Sequence, residues 1–365
     1  MKKIVIDARE LRTSSGRYIE RLLHYLQDID QEHTYDILLQ PKDMEDWQPH
    51  NPNFRTVACP HKEFSLGEQW GLFWQIRSLK PDLIHFAFVQ QPFLQRSKVV
   101  TTMHDLTTAR FRNPAKNPIV FILKQQIYKA LNRKAARVSK RVFTPTQFVK
   151  DDVVRFTGIR PNKVTVTLES ADLLSKKATP VSELKGIDFI MYTGRPTPHK
   201  NLRRLIEAFA ELQKNHPKLH LVLVGKTDSN YASHQQYVAK KGIENVVFTG
   251  FVSDPQLRWL YEHTKAYVFP SLSEGFGLPG LEAMLHGAPV VSSNTTCLPE
   301  VYGNAALYFN PNDTEDMALK IERVLTDKVL APQLVARGKE QAKKYSWKRM
   351  AAQTLAVYNQ VLSGK

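Results

Sequence analysis

The sequence predicts an α/β protein made of two domains, each built on a parallel sheet with helices packed against it. Short aliphatic runs of strand length alternate with longer segments in which apolar residues recur every three or four positions, as in βα units. Turns that contain glycine or proline separate these segments. A length of 365 residues favours two domains, each large enough to bury its own core.

The first half of the chain contains seven short aliphatic runs, with amphipathic segments between most of them. We assign strands to Lys3–Asp7, Tyr35–Leu39, Phe54–Val57, Leu83–Phe86, Val99–Met103, Arg141–Thr144 and Lys163–Thr167. Gly16 lies in the first βα turn, where nucleotide-binding folds approach phosphate. A plain loop at this position fits the residues equally well.

The second half repeats the alternation after a polar segment, 170–185, which contains Pro180 and is the best linker candidate. Strands are predicted at Phe189–Thr193, His220–Val224, Asn245–Phe248, Ala266–Phe269, Val290–Ser292 and Leu307–Phe309. Helices are predicted after Asn201, which suits an N-cap, and at 228–242, 254–262, 314–326 and near the C-terminus.

The stretch from Ala266 to Val291 combines a strand, a glycine loop, a short helix and another strand. The loop reads SLSEGFG, and two glycines bracket Phe276, so its backbone can approach a ligand closely. Pro279 suits the first turn of the following helix, and Gly287 suits the position after its end. The loop therefore lies at the carboxyl end of its strand, where open α/β sheets bind ligands.

Two glutamates, Glu274 and Glu282, are separated by GFGLPGL, which places one in the loop and the other in the first helical turn. The amides of Gly277 and Leu278, together with the helix dipole, form an anion site between them. Carboxylates accept hydrogen bonds from sugar hydroxyls. The pattern thus suggests a sugar and a phosphate held together, although a solvated loop glutamate and a dipole-stabilising one would show the same spacing.

Cations crowd the loop and helix that follow the first strand of the second half, GRPTPHKNLRRL. Lys200, Arg203 and Arg204 lie at the helix start, where each cation opposes the helix dipole at a cost of about 0.3 to 1 kcal/mol. A diphosphate between Arg195 and Lys200 would offset that cost through charge-assisted hydrogen bonds. A solvated basic helix end is the alternative.

In the first half, His104 and Asp105 directly follow a predicted strand. A titratable pair at a strand's carboxyl end can bind hydroxyls and stabilise developing charge. A lone His-Asp pair is also commonly structural. The residues alone leave both interpretations open.

The net charge of +16 calls for an anionic partner. Between Asp105 and Asp151 the chain has eleven lysines and arginines and no acidic residue, and a helix over 117–138 would combine an apolar stripe with a basic face. This basic 110–150 segment suits an anionic membrane surface, at about 1 kcal/mol per cation. Solubility is the alternative, and nucleic acid is not expected because no recognition motif accompanies the charge.

A second apolar segment, GEQWGLFWQIRSLKPD, is predicted to be a helix packed on the sheet, with membrane contact as the alternative. Its apolar residues are Trp70, Phe73, Trp74, Ile76 and Leu79. Cys59 and Cys297 form neither a disulfide framework nor a metal cluster, which fits a reducing cytoplasm. The N-terminal residues before Asp7 are expected to form a strand, since they are too few for a signal peptide or a spanning helix.

The motifs EGFGLP, EAM, GAPVV and LPEV, in this order, resemble the donor-site signature of the retaining, GT-B-fold glycosyltransferases of family 4. GR followed by KN resembles the same family's second signature. The resemblance implies two Rossmann-like domains with parallel sheets facing across a cleft. We expect an acceptor-side domain at 1–172, a donor domain at 185–345, and a final helix at 346–365 that crosses back to the first domain.

The resemblance also implies roles for individual residues. Glu274 would face the donor sugar, Glu282 would hold the ribose hydroxyls, and Arg195 and Lys200 would hold the leaving diphosphate. His104 would orient the sugar and act on the transition state. The remaining donor-binding residues would be Gly16, Asp105, Gly194, Phe251, Gly275, Phe276, Gly277 and Leu278.

The implied reaction moves a sugar from a nucleotide diphosphate sugar, with retention of configuration, to a glycan or lipid-linked acceptor in cell-surface polysaccharide or glycolipid synthesis. Similar segments occur in mannosyltransferases, which favours GDP-mannose. No metal or other cofactor is required, because Arg195, Lys200 and the helix amides supply the positive charge. A cytoplasmic enzyme, peripheral on the inner membrane face, would fit. The alternatives are a GT-B sugar-nucleotide epimerase and a non-catalytic basic binding protein.

Overall fold

The computed structural model divides into two compact units. The first unit comprises Met1–Ala109, Leu123–Glu169 and Ser346–Lys365, and the second comprises Arg110–Ile122 and Ser170–Tyr345. Each unit contains one parallel sheet. The structure describes residues 1–13, 16–62, 65, 67–95, 97–111, 118–175 and 177–364.

The first unit is built on a seven-stranded parallel sheet with the order β3-β2-β1-β4-β5-β6-β7. The order reverses between β1 and β4, which creates a topological switch point at the carboxyl ends of these strands. The strands are rich in apolar and β-branched residues, as expected for a parallel sheet that is covered on both faces. The strands are β1 Lys3–Asp7, β2 Thr34–Leu39, β3 Phe54–Ala58, β4 Leu83–Phe86, β5 Val99–Thr102, β6 Arg141–Thr144 and β7 Val164–Val166.

The second unit is built on a six-stranded parallel sheet with the order β10-β9-β8-β11-β12-β13. Its switch point lies between β8 and β11, which pair directly although they are far apart in sequence. The α/β prediction with two parallel sheets is thus confirmed. The strands are β8 Phe189–Thr193, β9 His220–Val224, β10 Val246–Gly250, β11 Ala266–Phe269, β12 Val290–Ser293 and β13 Ala306–Phe309.

Helices lie in most of the connections between consecutive strands of both sheets. In chain order they are α1 Gly16–Ile29, α2 Phe73–Leu79, α3 Thr107–Arg110, α4 Pro118–Val138, α5 Gln147–Thr157, α6 Leu202–Gln213, α7 Ser229–Lys241, α8 Asp254–His263, α9 Leu278–Leu285, α10 Leu298–Tyr302, α11 Thr314–Thr326, α12 Leu330–Ala342 and α13 Trp347–Ser363.

The C-terminal helix α13 belongs to the first unit, although the chain reaches it from the second. Its buried Tyr358 places its hydroxyl 2.5 Å from Nδ1 of His85 on β4. The other ring nitrogen of His85 lies 2.8 Å from the Thr102 hydroxyl on β5. Complete burial lowers the pKa of His85 to about 3, so the imidazole is neutral and links helix to sheet.

The apolar segment before α2 differs from its prediction. It begins as a five-residue π-helix, Glu68–Leu72, whose i→i+5 hydrogen bonds shift the phase of the side chains that precede α2. Leu72 and Ile76 are fully buried, but Trp70 and Trp74 are 56% and 57% exposed. The expectation that the whole apolar face packs on the sheet is therefore wrong for both tryptophans.

The predicted linker is held against the second unit. Thr179 donates its backbone N–H to the Pro255 carbonyl at 2.9 Å, and Arg258 hydrogen-bonds the Ser175 carbonyl. A short 3₁₀ turn, Ser182–Leu184, buries Leu184. The polar segment is therefore a surface connection whose backbone is held in place by hydrogen bonds to the second unit.

Candidate active site

Two loops of the second unit meet at the carboxyl ends of the adjacent strands β8 and β11. The backbone N–H of Leu272 donates to the His199 carbonyl at 2.7 Å. Asn201 donates its side-chain amide to the carbonyls of Pro270 and Pro311, at 3.1 and 2.7 Å. These bonds fix the loop that follows β8 against the loop that follows β11.

This junction joins Lys200 to Glu274, which are 74 positions apart in sequence. The ammonium nitrogen lies 2.6 Å from Glu274 Oε1, and the two side chains are only 18% and 12% exposed. Such a partly buried, charge-assisted hydrogen bond is stronger than a surface ion pair. The structure therefore brings the cation predicted to hold diphosphate directly to the carboxylate predicted to face the sugar.

Arg195 is exposed on the loop after β8 and, within the described part of the chain, its guanidinium makes no ion pair. The backbone before it is tightly placed. Gly194 has φ +146, and a Cβ on Gly225 would lie 2.3 Å from the Gly194 carbonyl oxygen. Only glycine fits this contact between the ends of β8 and β9, so the contact fixes the backbone from which Arg195 projects.

The other two cations at the start of α6 have protein partners. The Arg203 guanidinium lies 3.4 Å from the centroid of the Tyr237 ring, and Arg204 donates to the side-chain oxygen of Asn201 at 2.9 Å. Both partners are uncharged and leave the positive charge of the arginines in place, so compensation by a bound anion stays a prediction. Asn201 lies at the N-cap position but adopts φ +61 and makes no capping bond, because its side chain is engaged with the neighbouring loops.

The glycine loop ends at Gly277, which has φ +90 and precedes α9. The Tyr302 hydroxyl donates to the Gly277 carbonyl at 2.5 Å, and a Cβ at Gly277 or Gly280 would lie 2.5 or 2.3 Å from that hydroxyl oxygen. Tyr302 therefore sets the shape of this turn. Sequence analysis missed Tyr302 because no spacing rule links it to a loop 25 residues earlier.

At the start of α9, Pro279 has no backbone N–H, and the Gly280 N–H donates to the Gly277 carbonyl at 3.2 Å. The N–H of the predicted Leu278 has no acceptor within the helix, as is usual for the first residue of a helix. Glu282 is the fifth residue of α9, so its placement in the first turn was wrong by one turn. It is 4% exposed. The predicted anion site at the helix start and a nearly buried carboxylate therefore lie within two turns of one helix.

The loop bearing Glu274 and Gly275 is held by the loop after β12. The Glu274 N–H donates to the Thr296 hydroxyl at 3.2 Å, and the Cys297 thiol donates to the Glu274 carbonyl at 3.3 Å. Burial raises the pKa of Cys297 well above its usual value, so the thiol stays neutral. Phe276 is 4% exposed and packs edge-on against Tyr345, so its ring supports the loop from within.

Phe251 lies directly after β10 and is 85% exposed. The preceding Gly250 has φ +70 and donates its N–H to the Tyr231 hydroxyl at 2.9 Å, while that hydroxyl donates to the Leu223 carbonyl. An aromatic ring is thus presented on a fixed turn at the carboxyl edge of the second sheet.

The remaining predicted residues lie in the first unit. His104 follows β5, and its Nε2 lies 3.0 Å from the Ala87 carbonyl oxygen, which can only accept. Nε2 therefore carries a hydrogen, and Nδ1 faces Glu169 Oε1 at 3.3 Å. Glu169, which the sequence analysis also missed, follows β7.

Asp105 and Gly16 have local structural partners. Asp105 accepts a hydrogen bond from the Thr107 N–H at 2.8 Å, at the start of α3. Gly16 is the first residue of α1, and a Cβ there would lie 1.9 Å from the Leu11 carbonyl oxygen, so no larger residue fits. The serines that precede Gly16, at 14 and 15, fall outside the described residues.

Among the described residues, neither a metal-binding cluster nor a membrane-spanning helix is present. No group of three or more histidine, cysteine, aspartate or glutamate side chains has an arrangement that could hold a metal ion. No described helix is both long enough and apolar enough to cross a bilayer.

Comparison with known proteins gives sequence relatives over both units. The profile of Glycosyltransferase Family 4 matches residues 15–169, and that of Glycosyl transferases group 1 matches residues 176–345. The O-antigen chain mannosyltransferase B of Escherichia coli is 30% identical over 78% of this chain and 76% of its own. The serotype-specific mannosyltransferase WbdA of Escherichia coli is 33% identical over 60% of this chain, which spans only 29% of WbdA.

Solved structures of low sequence identity share the fold. Sucrose-phosphate synthase from Thermosynechococcus elongatus superposes with a TM-score of 0.77 at 19% identity, covering 100% of both chains. HepE from Anabaena, solved in complex with UDP and glucose, gives 0.75 at 20% identity over 98% of this chain and 100% of its own. Two parallel-sheet units with these neighbours define a GT-B-fold protein.

The sequence matches then fix the family. The chain belongs to family 4 of the glycosyltransferases, and the resemblance noted in its sequence is confirmed.

Proposed function

We propose that this glycosyltransferase transfers a sugar, with retention of configuration, from a nucleotide diphosphate sugar to a glycan or lipid-linked acceptor. The observation that carries the proposal is the contact of Lys200 with Glu274 at 2.6 Å, four positions before α9 begins at Leu278. The names of the relatives, O-antigen mannosyltransferases, support GDP-mannose as donor and cell-surface polysaccharide as product.

The diphosphate would bind between Arg195, Lys200 and the backbone N–H groups of Gly277 and Leu278 at the start of α9. Arg195 supplies a planar fork and Lys200 a point charge, and both are charge-assisted donors. Glu274 would then hold hydroxyls of the sugar. Glu282 would hold those of the ribose, and Phe251 would stack on the base.

In the proposed step, the bond between the anomeric carbon and the leaving phosphate oxygen breaks as the acceptor oxygen attacks the same face of the sugar. The acceptor's proton passes to the leaving phosphate oxygen, so no protein base is needed. Arg195 and Lys200 stabilise the charge that develops on the diphosphate. His104, held by Glu169 and Ala87, would orient the sugar.

We further propose that the first unit serves the acceptor and that the basic 110–150 segment attaches the protein to the anionic inner face of the cytoplasmic membrane. On α4, Lys124, Arg133 and Arg137 are exposed. Cations of this kind contribute about 1 kcal/mol each near an anionic bilayer. Lipid-linked acceptors reside at that surface.

A panel of nucleotide sugars tested by thermal shift would identify the donor. We expect one nucleotide sugar to raise the melting temperature of the wild type, and Arg195→Ala to reduce that increase. Lys214→Ala, which removes a cation in an exposed pair with Glu211, is the matched control. An epimerase would convert the donor sugar without an acceptor, whereas the proposed transferase needs the acceptor for turnover.

A further inference from the structure

Two segments of the first unit, 70–74 and 93–94, expose large apolar side chains: Trp70 by 56%, Trp74 by 57%, Phe93 by 58% and Leu94 by 46%. The other three tryptophans of the chain, at 47, 259 and 347, are at most 8% exposed. Two of the exposed residues come from the π-helix and α2, and two from the loop after β4. An exposed aromatic cluster on a soluble unit usually marks an interaction surface.

A hydrogen bond links the two segments that carry these four side chains, which are together called the aromatic surface. Gln69, next to Trp70, accepts the backbone N–H of Phe93 at 2.8 Å. The Lys134 ammonium of α4 lies 3.2 Å from the centroid of the Phe93 ring. The Arg77 guanidinium lies 5.6 Å from the ring centroid of Trp74. Two helical segments and a loop thus contribute to one patch of rings and cations.

The exposed charged side chains on the helices that contribute to the aromatic surface are cationic. They are Arg77 of α2, Lys80 directly after it, and Lys124, Arg133 and Arg137 of α4. The acidic residue of the π-helix, Glu68, is 1% exposed and faces inward, where it accepts from Arg9 at 2.9 Å. Within the described part of this helix, the outward charge is therefore cationic.

The aromatic surface adjoins the end of the unit that carries His104. The loop holding Phe93 and Leu94 begins at Ala87, whose carbonyl is bonded to His104 Nε2 at 3.0 Å. The Phe88 ring lies 5.1 Å from the His104 ring. A surface held by this loop would present any lipid-linked molecule close to the predicted acceptor side.

We propose that the aromatic surface inserts into the interfacial layer of an anionic bilayer, with Trp70, Trp74, Phe93 and Leu94 as the inserted side chains. This inference rests on the membrane attachment proposed above. It assigns the anchoring to the aromatic side chains as well as to the cations of α4. Tryptophan prefers the bilayer interface because its ring is apolar and its N–H can reach water or headgroups. The flanking lysines and arginines complement anionic headgroups.

The two exposed tryptophans make the proposal directly measurable. Full-length protein is mixed with vesicles of phosphatidylglycerol and phosphatidylethanolamine, and tryptophan emission and vesicle flotation are recorded. The emission of the wild type should move to shorter wavelength on binding. Trp70→Ser combined with Trp74→Ser should abolish that shift and weaken vesicle binding by at least tenfold.

Two further variants serve as an independent test and a control. Phe93→Ser combined with Leu94→Ser should also weaken binding while leaving the tryptophans as reporters. Leu319→Ser removes a side chain of the second unit that is 62% exposed, and should behave as the wild type. Donor-induced thermal shift should be unchanged in all of them, which separates this proposal from the proposed transferase activity.

Three results would overturn the proposal. Vesicle binding without a spectral shift, or with a shift that survives the double tryptophan variant, would assign attachment to the basic helix alone. Absence of vesicle binding would exclude a membrane role. A wild-type dimer that becomes monomeric in the double tryptophan variant would make the surface a contact between copies of the chain.

Discussion

The ion pair between Lys200 and Glu274 leads to opposite predictions for its two members. In the ligand-free protein Glu274 neutralises the cation that the diphosphate must use. Lys200→Met should therefore weaken binding of a nucleoside diphosphate, whereas Glu274→Gln should strengthen it. For the complete nucleotide sugar, Glu274→Gln should also remove a hydroxyl acceptor and lower turnover.

The magnitudes follow from the geometry of the pair. The ammonium and carboxylate atoms are 2.6 Å apart and both side chains are less than a fifth exposed, so the interaction is stronger than that of an exposed ion pair. Loss of one charge-assisted bond to phosphate costs about 1.5 to 3 kcal/mol, or roughly 10- to 150-fold in Kd. Removing the Glu274 charge should strengthen nucleoside diphosphate binding by about 1 kcal/mol, or lower its Kd roughly fivefold. The neutral side chain would no longer repel the diphosphate or compete with it for Lys200.

Isothermal titration of the nucleoside diphosphate and of the nucleotide sugar would measure both effects. Lys214→Met, in an exposed pair with Glu211, is the matched control and should change either Kd by less than about twofold. Raising the salt concentration should reduce the differences in Kd between the variants and the wild type, because salt screens the charges. If Glu274→Gln weakens nucleoside diphosphate binding as much as Lys200→Met does, Glu274 supports the phosphate site instead of competing for it, and the reasoning is refuted.

Three further predictions concern separate parts of the molecule. Glu282→Ala should weaken nucleotide sugar binding by about 1 to 3 kcal/mol in the same titration, and an unchanged Kd would remove Glu282 from the ribose site. Gly277→Ala should lower the melting temperature and abolish donor binding, because the added Cβ would lie 2.5 Å from the Tyr302 hydroxyl oxygen. Adding Tyr302→Phe to the Gly277→Ala variant should restore part of the lost stability. The pKa of buried His85 is about 3, well below its value in the unfolded chain. Below about pH 6.5 the unfolded chain therefore binds a proton that the folded protein does not, and the free energy of unfolding falls as the pH drops. Urea unfolding at pH 7.5 and 5.5 should show a decrease about 1 kcal/mol larger in the wild type than in His85→Gln, and equal decreases would contradict the assignment.

Much of the fold could be predicted because its signals are local. Aliphatic runs defined the strands of both sheets, and Pro279 and Gly287 marked the two ends of α9, where the structure has a proline at the second position and φ +79 after the last turn. Helix α12 was missed because its segment has no strong apolar stripe; only four of its residues are buried.

The candidate site could be predicted only in part, because several of its contacts join residues that are far apart in sequence. Lys200 and Glu274 were placed by the rule that parallel strands present their following loops at one edge. Tyr302 and Glu169 act across tertiary contacts that no spacing reveals. The exposure of Trp70 and Trp74 depends on the π-helical turn at Glu68–Leu72, which an amphipathic pattern does not signal.

The central claim, retaining transfer from a nucleotide sugar, is tested most directly by following the anomeric signals of donor and product by NMR. GDP-mannose and the other nucleotide sugars would be incubated with the protein and a mannan-type acceptor. We expect acceptor-dependent release of nucleoside diphosphate and a product whose new linkage keeps the anomeric configuration of the donor. Both signals should be lost in Lys200→Met. An inverted linkage, or a donor sugar converted without an acceptor, would contradict it.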